Sequence, residues 1–84
     1  MERKFGTLKT IYEIVKDNIK PVAMSIKPNE IISRSHFPWD EIMQHLEELN
    51  HDQLITMKRS LVVVINITES GLSFISGFQS VQKD

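Results

Sequence analysis

Three histidines, His36, His45 and His51, are the side chains in this sequence that most readily bind a metal ion. They lie nine and six residues apart, and the chain has no cysteine to complete a site. These spacings match no recognised metal-ligand pattern. We therefore expect surface histidines, with no metal site and no cofactor.

Catalytic motifs are also missing from the sequence. It contains no glycine-rich phosphate loop, no nucleophile motif and no arrangement of paired carboxylates that would support acid–base chemistry. A chain of 84 residues leaves little room for a substrate pocket. We therefore predict that the protein is not an enzyme.

Basic side chains are the remaining candidates for chemistry, because they can contact phosphates. Lys27, Arg34, Lys58 and Arg59 would form a nucleic-acid contact surface if they lie on one side of the molecule. The net charge of −1, however, lacks the basic surplus that is typical of dedicated nucleic-acid binders. Ordinary surface charges are an equal alternative.

Length and composition predict one globular domain over residues 1–84, with 76–84 as a candidate frayed tail. No apolar run approaches the ~20 residues that a membrane span needs. No apolar segment follows the charged N-terminus, so no secretory signal is expected. The absence of cysteine is compatible with the cytoplasm, which is the expected location.

Apolar periodicity and turn residues predict the elements that position these side chains. Thr7 is the expected N-cap of the first helix and Thr68 that of the last. In chain order we predict a helix over 7–19, a minor strand or extended connector over 22–26, a short helix from Pro28 to Ser33 or Ser35, a longer helix over 38–50, strands over 54–57 and 61–67, and a final helix that weakens at Ser76-Gly77.

The longer helix has one apolar face and one acidic face when it is wound at 100° per residue. Its apolar stripe consists of Trp39, Ile42, Met43, Leu46 and Leu49. Trp39 is expected to pack in the core, in preference to a role as a binding anchor. The opposite face holds Asp40, Glu41, Gln44, Glu47 and Glu48, with His45 at its edge.

The second predicted strand, residues 61–67, carries apolar side chains on both faces. One face would cover the helices, and the other would need cover from elsewhere. Phe74, Ile75, Phe78 and Val81 could supply it, from the same chain or from a second copy. We therefore predict a homodimer with this strand or the C-terminal helix at its interface.

This order of elements is that of winged-helix domains. The closest local likeness is Leu46-Glu47-Glu48-Leu49 running into Leu54-Ile55, followed by Ile67-Thr68-Glu69-Ser70-Gly71. These segments resemble small bacterial and archaeal winged-helix regulators, in which a Leu-Thr-x-x-Gly turn leads out of the wing. Ile67 stands in place of that leucine, and Gln53 stands where a glycine is usual. The resemblance implies an α+β winged helix-turn-helix fold, with a three-helix core, a short β-hairpin wing and a C-terminal helix.

The resemblance also implies a DNA-binding module of the transcription-regulator type. Residues 38–50 would be the recognition helix, 58–60 the wing tip and 33–36 the turn before the recognition helix. Contacts to double-stranded DNA would then come from Lys27, Arg34, Ser35, His36, Gln44, Lys58 and Arg59.

The acidic face of the longer helix opposes this implication. Phosphates repel carboxylates, and Gln44 is the one side chain on that face suited to reading a base edge. The alternative is a winged helix that binds a protein partner and no DNA, through its acidic third helix or its apolar hairpin.

Overall fold

The computed structural model describes the backbone of residues 3–82 and the side chains of residues 3–77. Over this range the chain forms four α-helices and one two-stranded antiparallel hairpin, so the α+β class is confirmed. The helices are α1 (Arg3–Val15), α2 (Pro28–Ile32), α3 (Trp39–His51) and α4 (Glu69–Gln82), and the strands are β1 (Ile55–Arg59) and β2 (Val63–Ile67).

Helix α1 begins and ends four residues earlier than predicted. Thr7 is not an N-cap, because it lies within the helix and is buried. After Val15 the Asn18 side chain accepts a hydrogen bond from the Lys20 N–H at 3.1 Å, a local bond that competes with helix continuation. Ile19 therefore lies outside the helix and is 96% exposed, so its predicted place on the apolar stripe is wrong.

The segment between α1 and α2 is mainly a connector. Pro21–Ala23 form one turn of 3-10 helix, and Ile26 makes a single antiparallel bridge to Ile65, with both N–O distances at 2.8 Å. The Asn66 amide donates to the Val22 and Met24 carbonyls at 3.2 and 3.1 Å. The connector thus covers the outer edge of β2, whose backbone groups would otherwise be unpaired.

One apolar core lies between the helices and the hairpin. The predicted stripe of α3 supplies Ile42, Leu46 and Leu49, all without exposed surface, and Met43 is partly buried against them. Trp39 is 47% exposed, so its predicted core position is wrong. It is the first residue of α3 and lies past the edge of the core. The other fully buried apolar residues are Leu8, Ile11, Val15, Ile26, Ile31, Ile55, Ile65, Ile67 and Ile75.

The hairpin pairs Ile55 with Ile67 at one end and Arg59 with Val63 at the other. Its connection is the three residues Ser60-Leu61-Val62, so β2 starts two residues later than predicted. The predicted tip at 58–60 is also wrong for Lys58 and Arg59, since both are paired residues of β1. Leu61 and Val62, expected within the strand, form the exposed tip instead.

Helix α3 ends in a Schellman motif, the hydrogen-bond pattern that closes many helices around a residue with positive φ. The Leu54 N–H donates to the Leu49 carbonyl at 3.0 Å, and the Gln53 N–H donates to the Asn50 carbonyl at 3.1 Å. Gln53 has a φ of 64°, the left-handed conformation that glycine adopts most easily. Gln53 thus adopts this conformation at the position where the resemblance led us to expect glycine.

The start of α4 binds this helix end directly. The Thr68 hydroxyl accepts a hydrogen bond from the Gly71 N–H at 2.9 Å, so the predicted N-cap is confirmed. The same hydroxyl donates to the Gln53 carbonyl at 2.8 Å, and the Thr68 N–H donates to the Leu54 carbonyl at 3.1 Å. A Cβ atom at Gly71 would overlap the Leu54 carbonyl oxygen, so only glycine allows this close approach.

Helix α4 continues past Ser76-Gly77 to Gln82, through most of the segment considered as a frayed tail. Residues 83 and 84 lie outside the described residues, as do the side chains of Phe78 and Val81 that were expected to cover the hairpin. None of the helices in the described part of the chain is both long and apolar enough to cross a membrane.

The two glycines of α4 provide a matched pair of variants. Gly71→Ala should lower the free energy of unfolding by about 1–3 kcal/mol or more, because the new methyl group meets backbone that cannot move aside. Gly77→Ala meets nothing within 4 Å and should raise it by about 0.5–1 kcal/mol. Urea unfolding measures both changes, and equal responses would contradict the close approach at Gly71.

Candidate interaction surface

The acidic face of α3 is contacted by basic residues from the start of α1. The Arg3 guanidinium donates to both carboxylate oxygens of Glu41, with Nη2 at 2.8 Å from Oε1, and it lies 4.9 Å from the centre of the Phe37 ring. The hydrogen bond from Arg3 lowers the pKa of Glu41 below its ordinary value, and the bond to Glu41 raises the pKa of Arg3. This carboxylate is therefore held in its charged form by the protein itself.

Two further carboxylates on this face have ion-pair partners. The Lys4 ammonium is 2.8 Å from Asp52, just after α3, and 3.9 Å from Glu48. Arg59 on β1 is 3.2 Å from Glu47. Exposed pairs of this kind contribute little to stability. They do change what the face presents, because three of its four carboxylates, Glu41, Glu47 and Glu48, face a basic residue from α1 or β1.

His45 lies beneath this face and is only 5% exposed, so its predicted surface position is wrong. Its Nε2 is 3.2 Å from a Glu41 oxygen, and its Nδ1 is 2.7 Å from the Thr7 hydroxyl. When Nε2 donates to Glu41, a neutral ring accepts the Thr7 proton at Nδ1. The Phe37 ring completes the site and lies perpendicular to the His45 ring, with ring centres 5.0 Å apart and planes at 89°.

Hydroxyl, imidazole and carboxylate stand here in the order used by nucleophilic relays. Thr7, however, has no exposed surface and lies within α1, so no substrate can reach its oxygen. The arrangement is instead a satisfied polar contact that joins α1 to α3. A sequence signal for it existed, because Thr7 and His45 stand four residues before Ile11 and three residues after Ile42 on the apolar faces.

Three of the predicted DNA contacts come together beside α1. Arg34, Ser35 and His36 line a shallow depression of about 440 Å³, where the Ser35 hydroxyl accepts a hydrogen bond from the Phe37 N–H at 3.2 Å. Lys9 of α1 lines the same depression and was not among the predicted contacts. Its position on the polar face of α1 was evident from the sequence, but its neighbours were not.

The other predicted contacts lie on different parts of the surface. Gln44 is exposed and lines the acidic groove between α3 and the start of α1, beside Arg3. Lys58 and Arg59 are exposed on β1, and the charge of Arg59 is engaged by Glu47. Lys27 precedes α2, where its N–H donates to the Glu30 carboxylate at 3.0 Å. The sequence prediction therefore did not identify one compact site.

A second groove lies between α2, the first turn of α3 and the hairpin. We call it the apolar groove; its volume is about 350 Å³. Two of its apolar lining residues, Trp39 and Val62, are 47% and 57% exposed. Its lining residues are Lys27, Pro28, Asn29, Ile32, Trp39, Val62 and Val63.

Leu61 lies next to this groove at the hairpin tip and is fully exposed. Hairpin tips are usually built from Gly, Asn or Asp, which suit the backbone and face water. Single exposed apolar residues are common on proteins, but here Leu61 and Val62 stand together beside an apolar groove, which makes this surface a candidate for interaction. An apolar hairpin surface was expected from the sequence, but the contribution of Trp39 was not, because Trp39 was expected in the core and Leu61 within a strand.

From the sequence we expect no metal site, and this expectation can be compared with the described residues only. Within residues 3–77 no three His, Cys, Asp or Glu side chains are grouped so that they could hold a metal ion. Two of the histidines, His36 and His51, are exposed, and His45 is occupied by Thr7 and Glu41.

The Thr7–His45 contact predicts a specific stability change. Thr7→Val keeps the shape of the side chain but leaves the buried His45 Nδ1 without its partner, which should cost about 1–3 kcal/mol. Thr7→Ser keeps the hydroxyl and should cost less. Both values come from urea denaturation at neutral pH, and a valine variant at least as stable as the serine variant would contradict the assigned role.

Comparisons with known proteins bear on the fold alone. Neither the protein-family models nor the curated protein sequences contain a match to this chain. Among solved structures, the chain is similar to the crystal structure of AF1382 from Archaeoglobus fulgidus, with a TM-score of 0.74 and 12% sequence identity. The similarity covers 99% of this chain and 88% of that one. At this identity it shows a shared fold.

Proposed function

We propose that this domain is a winged helix that binds a protein partner through the apolar groove and the adjoining hairpin tip. The winged-helix interpretation is supported by the element order, in which α1, two short helical segments and α3 precede the hairpin and α4 follows it. The Thr68-to-Gly71 turn at the exit of the hairpin supports the same interpretation. Fold by itself does not specify function.

The observation that carries this proposal is the cluster of exposed apolar side chains around the groove. Leu61, Val62 and Trp39 are 100%, 57% and 47% exposed. Apolar side chains left in water contribute little to folding, whereas their burial against a partner is favourable. Aromatic side chains such as Trp39 are also enriched among the residues that dominate binding energy.

The surface of α3 supports the same choice. Its outward face carries four carboxylates, and Arg3, Lys4 and Arg59 are engaged with three of them, Glu41, Glu48 and Glu47. A helix that enters the major groove must approach phosphates and hydrogen-bond base edges. An acidic face whose nearby cations are already paired is poorly suited to that task.

Binding of an apolar probe to the native protein tests the proposal. The dye 8-anilinonaphthalene-1-sulfonate should bind in the apolar groove and receive energy from Trp39, the single tryptophan of the chain. Val62→Asn should strongly reduce this energy transfer, because it places a polar group in the groove wall. Ile19→Asn, a change at an isoleucine that is 96% exposed and lies outside the groove, should leave it unchanged. A native protein that gives no energy transfer to the dye would contradict the proposal.

Binding of double-stranded DNA is a second candidate function, and one observation favours it. Arg34, Ser35 and His36 share a depression with Lys9, which gathers three basic side chains at the turn before α3. In a winged helix this turn lies where phosphates are contacted. The same depression includes Glu13, whose charge is paired with Lys16 at 2.9 Å.

A gel-shift titration on duplex DNA examines this second candidate. If it is correct, the double variant Lys9→Ala and Arg34→Ala should weaken binding on all sequences and reduce the salt dependence by roughly two counterions. The matched change Lys20→Ala, at an exposed lysine outside the depression, should have a smaller effect. Absence of any shift by the unmodified protein at ~50 mM salt would exclude duplex DNA as its ligand.

A further inference from the structure

We infer that the apolar groove is occupied by Leu61 of a second copy of this chain, in a two-fold dimer that exchanges the two hairpin tips. This inference rests on the proposed function, because it names the partner of the same groove. It also narrows the dimer interface predicted from the sequence to the tip of the hairpin and the first turn of α3.

Leu61 is an unusual residue for a hairpin tip. A fully exposed leucine at a hairpin tip makes no contribution to the core of its own chain. Asparagine or glycine would suit the tip better, both for its backbone and for its contact with water. An apolar side chain at such a tip can therefore be buried only in a pocket outside the core of its own chain. We call this side chain the insert.

The insert and the groove are neighbours on one surface. Leu61 immediately precedes Val62 and Val63, which form one wall of the apolar groove. A two-fold axis brings the same patch of both copies together, so each copy must offer an insert and a groove side by side. Leu61 and the groove meet this requirement, because the exposed leucine lies directly beside the groove wall.

The groove and the chain as a whole carry little charge. Among the described residues that line the groove, Lys27 is the one that carries a charge, and the chain as a whole has a net charge of −1. Proteins with a net charge far from zero repel their own copies, and this chain has almost no such repulsion. Apolar contact between the two patches therefore decides whether two copies associate.

The size of the patch sets the strength of the dimer. Stable protein interfaces bury roughly 800 Å² on each partner. Such interfaces contain roughly 20–30 residues a side, whereas the patch here consists of three exposed apolar side chains and a groove lined by seven residues. We therefore expect a weak and reversible dimer, formed in the micromolar to millimolar range.

Sedimentation equilibrium between about 10 μM and about 1 mM, the range suited to a small interface, tests the inference. The average mass of the 9.7 kDa chain should rise toward that of a dimer. Leu61→Asn should raise the dissociation constant at least about tenfold, since it removes both inserts. Ile19→Asn, at a residue 96% exposed and outside the groove, should not change it.

Mixing two variants tests the exchange itself. Leu61→Asn keeps the groove and loses the insert, while Trp39→Gln keeps the insert and alters the groove. In a mixed dimer, Leu61 of the Trp39→Gln copy can insert into the unaltered groove of the Leu61→Asn copy, so one of the two contacts is preserved. An equimolar mixture should therefore associate more strongly than either variant alone. A mixture no stronger than its components would overturn the exchange.

Amide chemical shifts of the unmodified protein provide a measurement that needs no variant. On dilution they should change around residues 28–32, 39 and 60–63, which contain the groove and the tip. Changes confined to α4, or a dimer unaffected by Leu61→Asn, would place the interface elsewhere and overturn the inference. A chain that stays monomeric up to about 1 mM would also overturn it, while dye binding near Trp39 would keep the groove as a site for another protein.

Discussion

The contact between the start of α4 and the end of α3 is the constraint on which most of this structure depends. Thr68 makes three hydrogen bonds there, two to the Gln53 and Leu54 carbonyls and one from the Gly71 N–H. Each bond satisfies a backbone N–H or carbonyl that would otherwise be unpaired at the helix ends. Because α3 leads into β1 and β2 leads into α4, this single contact ties together four consecutive elements.

The hairpin inherits its register from that contact. Leu54 and Thr68 stand next to the paired residues Ile55 and Ile67, so the pairing is set at this end and carried to Arg59 and Val63 at the other. A shift by one residue would turn the buried Ile65 and Ile67 outward, which the core would not tolerate. The tip is consequently held at a defined place beside α2 and Trp39, where it forms one wall of the apolar groove.

The polar contacts between α1 and α3 shape the acidic face of α3. Thr7 and His45 meet in the interior, and Glu41 links the buried ring to Arg3 at the surface. Arg3 and Lys4 thereby cover the acidic face of α3, which the sequence alone had presented as open. The molecule thus has one face of internally paired charges and another of exposed apolar groups, and this contrast supports a protein partner over DNA in the proposed function.

The sequence by itself determined the features that depend on local chemistry. Periodicity identified the buried stripe of Ile42, Leu46 and Leu49, because burial repeats with the helical turn. The cap at Thr68 was also evident, since it needs only a hydroxyl at the start of a helix. The order of the elements and the α+β class follow from the same local signals.

Only the tertiary structure decided how these elements meet. Trp39 shares the period of the stripe, but it is the first residue of α3 and lies beyond the edge of the core. Periodicity does not show where the neighbouring elements stop. His45 is buried because Thr7, 38 residues away, supplies its hydrogen bond. Leu61 begins an apolar run that is typical of a strand, but the observed pairing ends at Arg59 and Val63 and leaves Leu61 at the tip. Contacts between residues far apart in sequence decide each of these positions, so the candidate surface emerged only when the chain was folded.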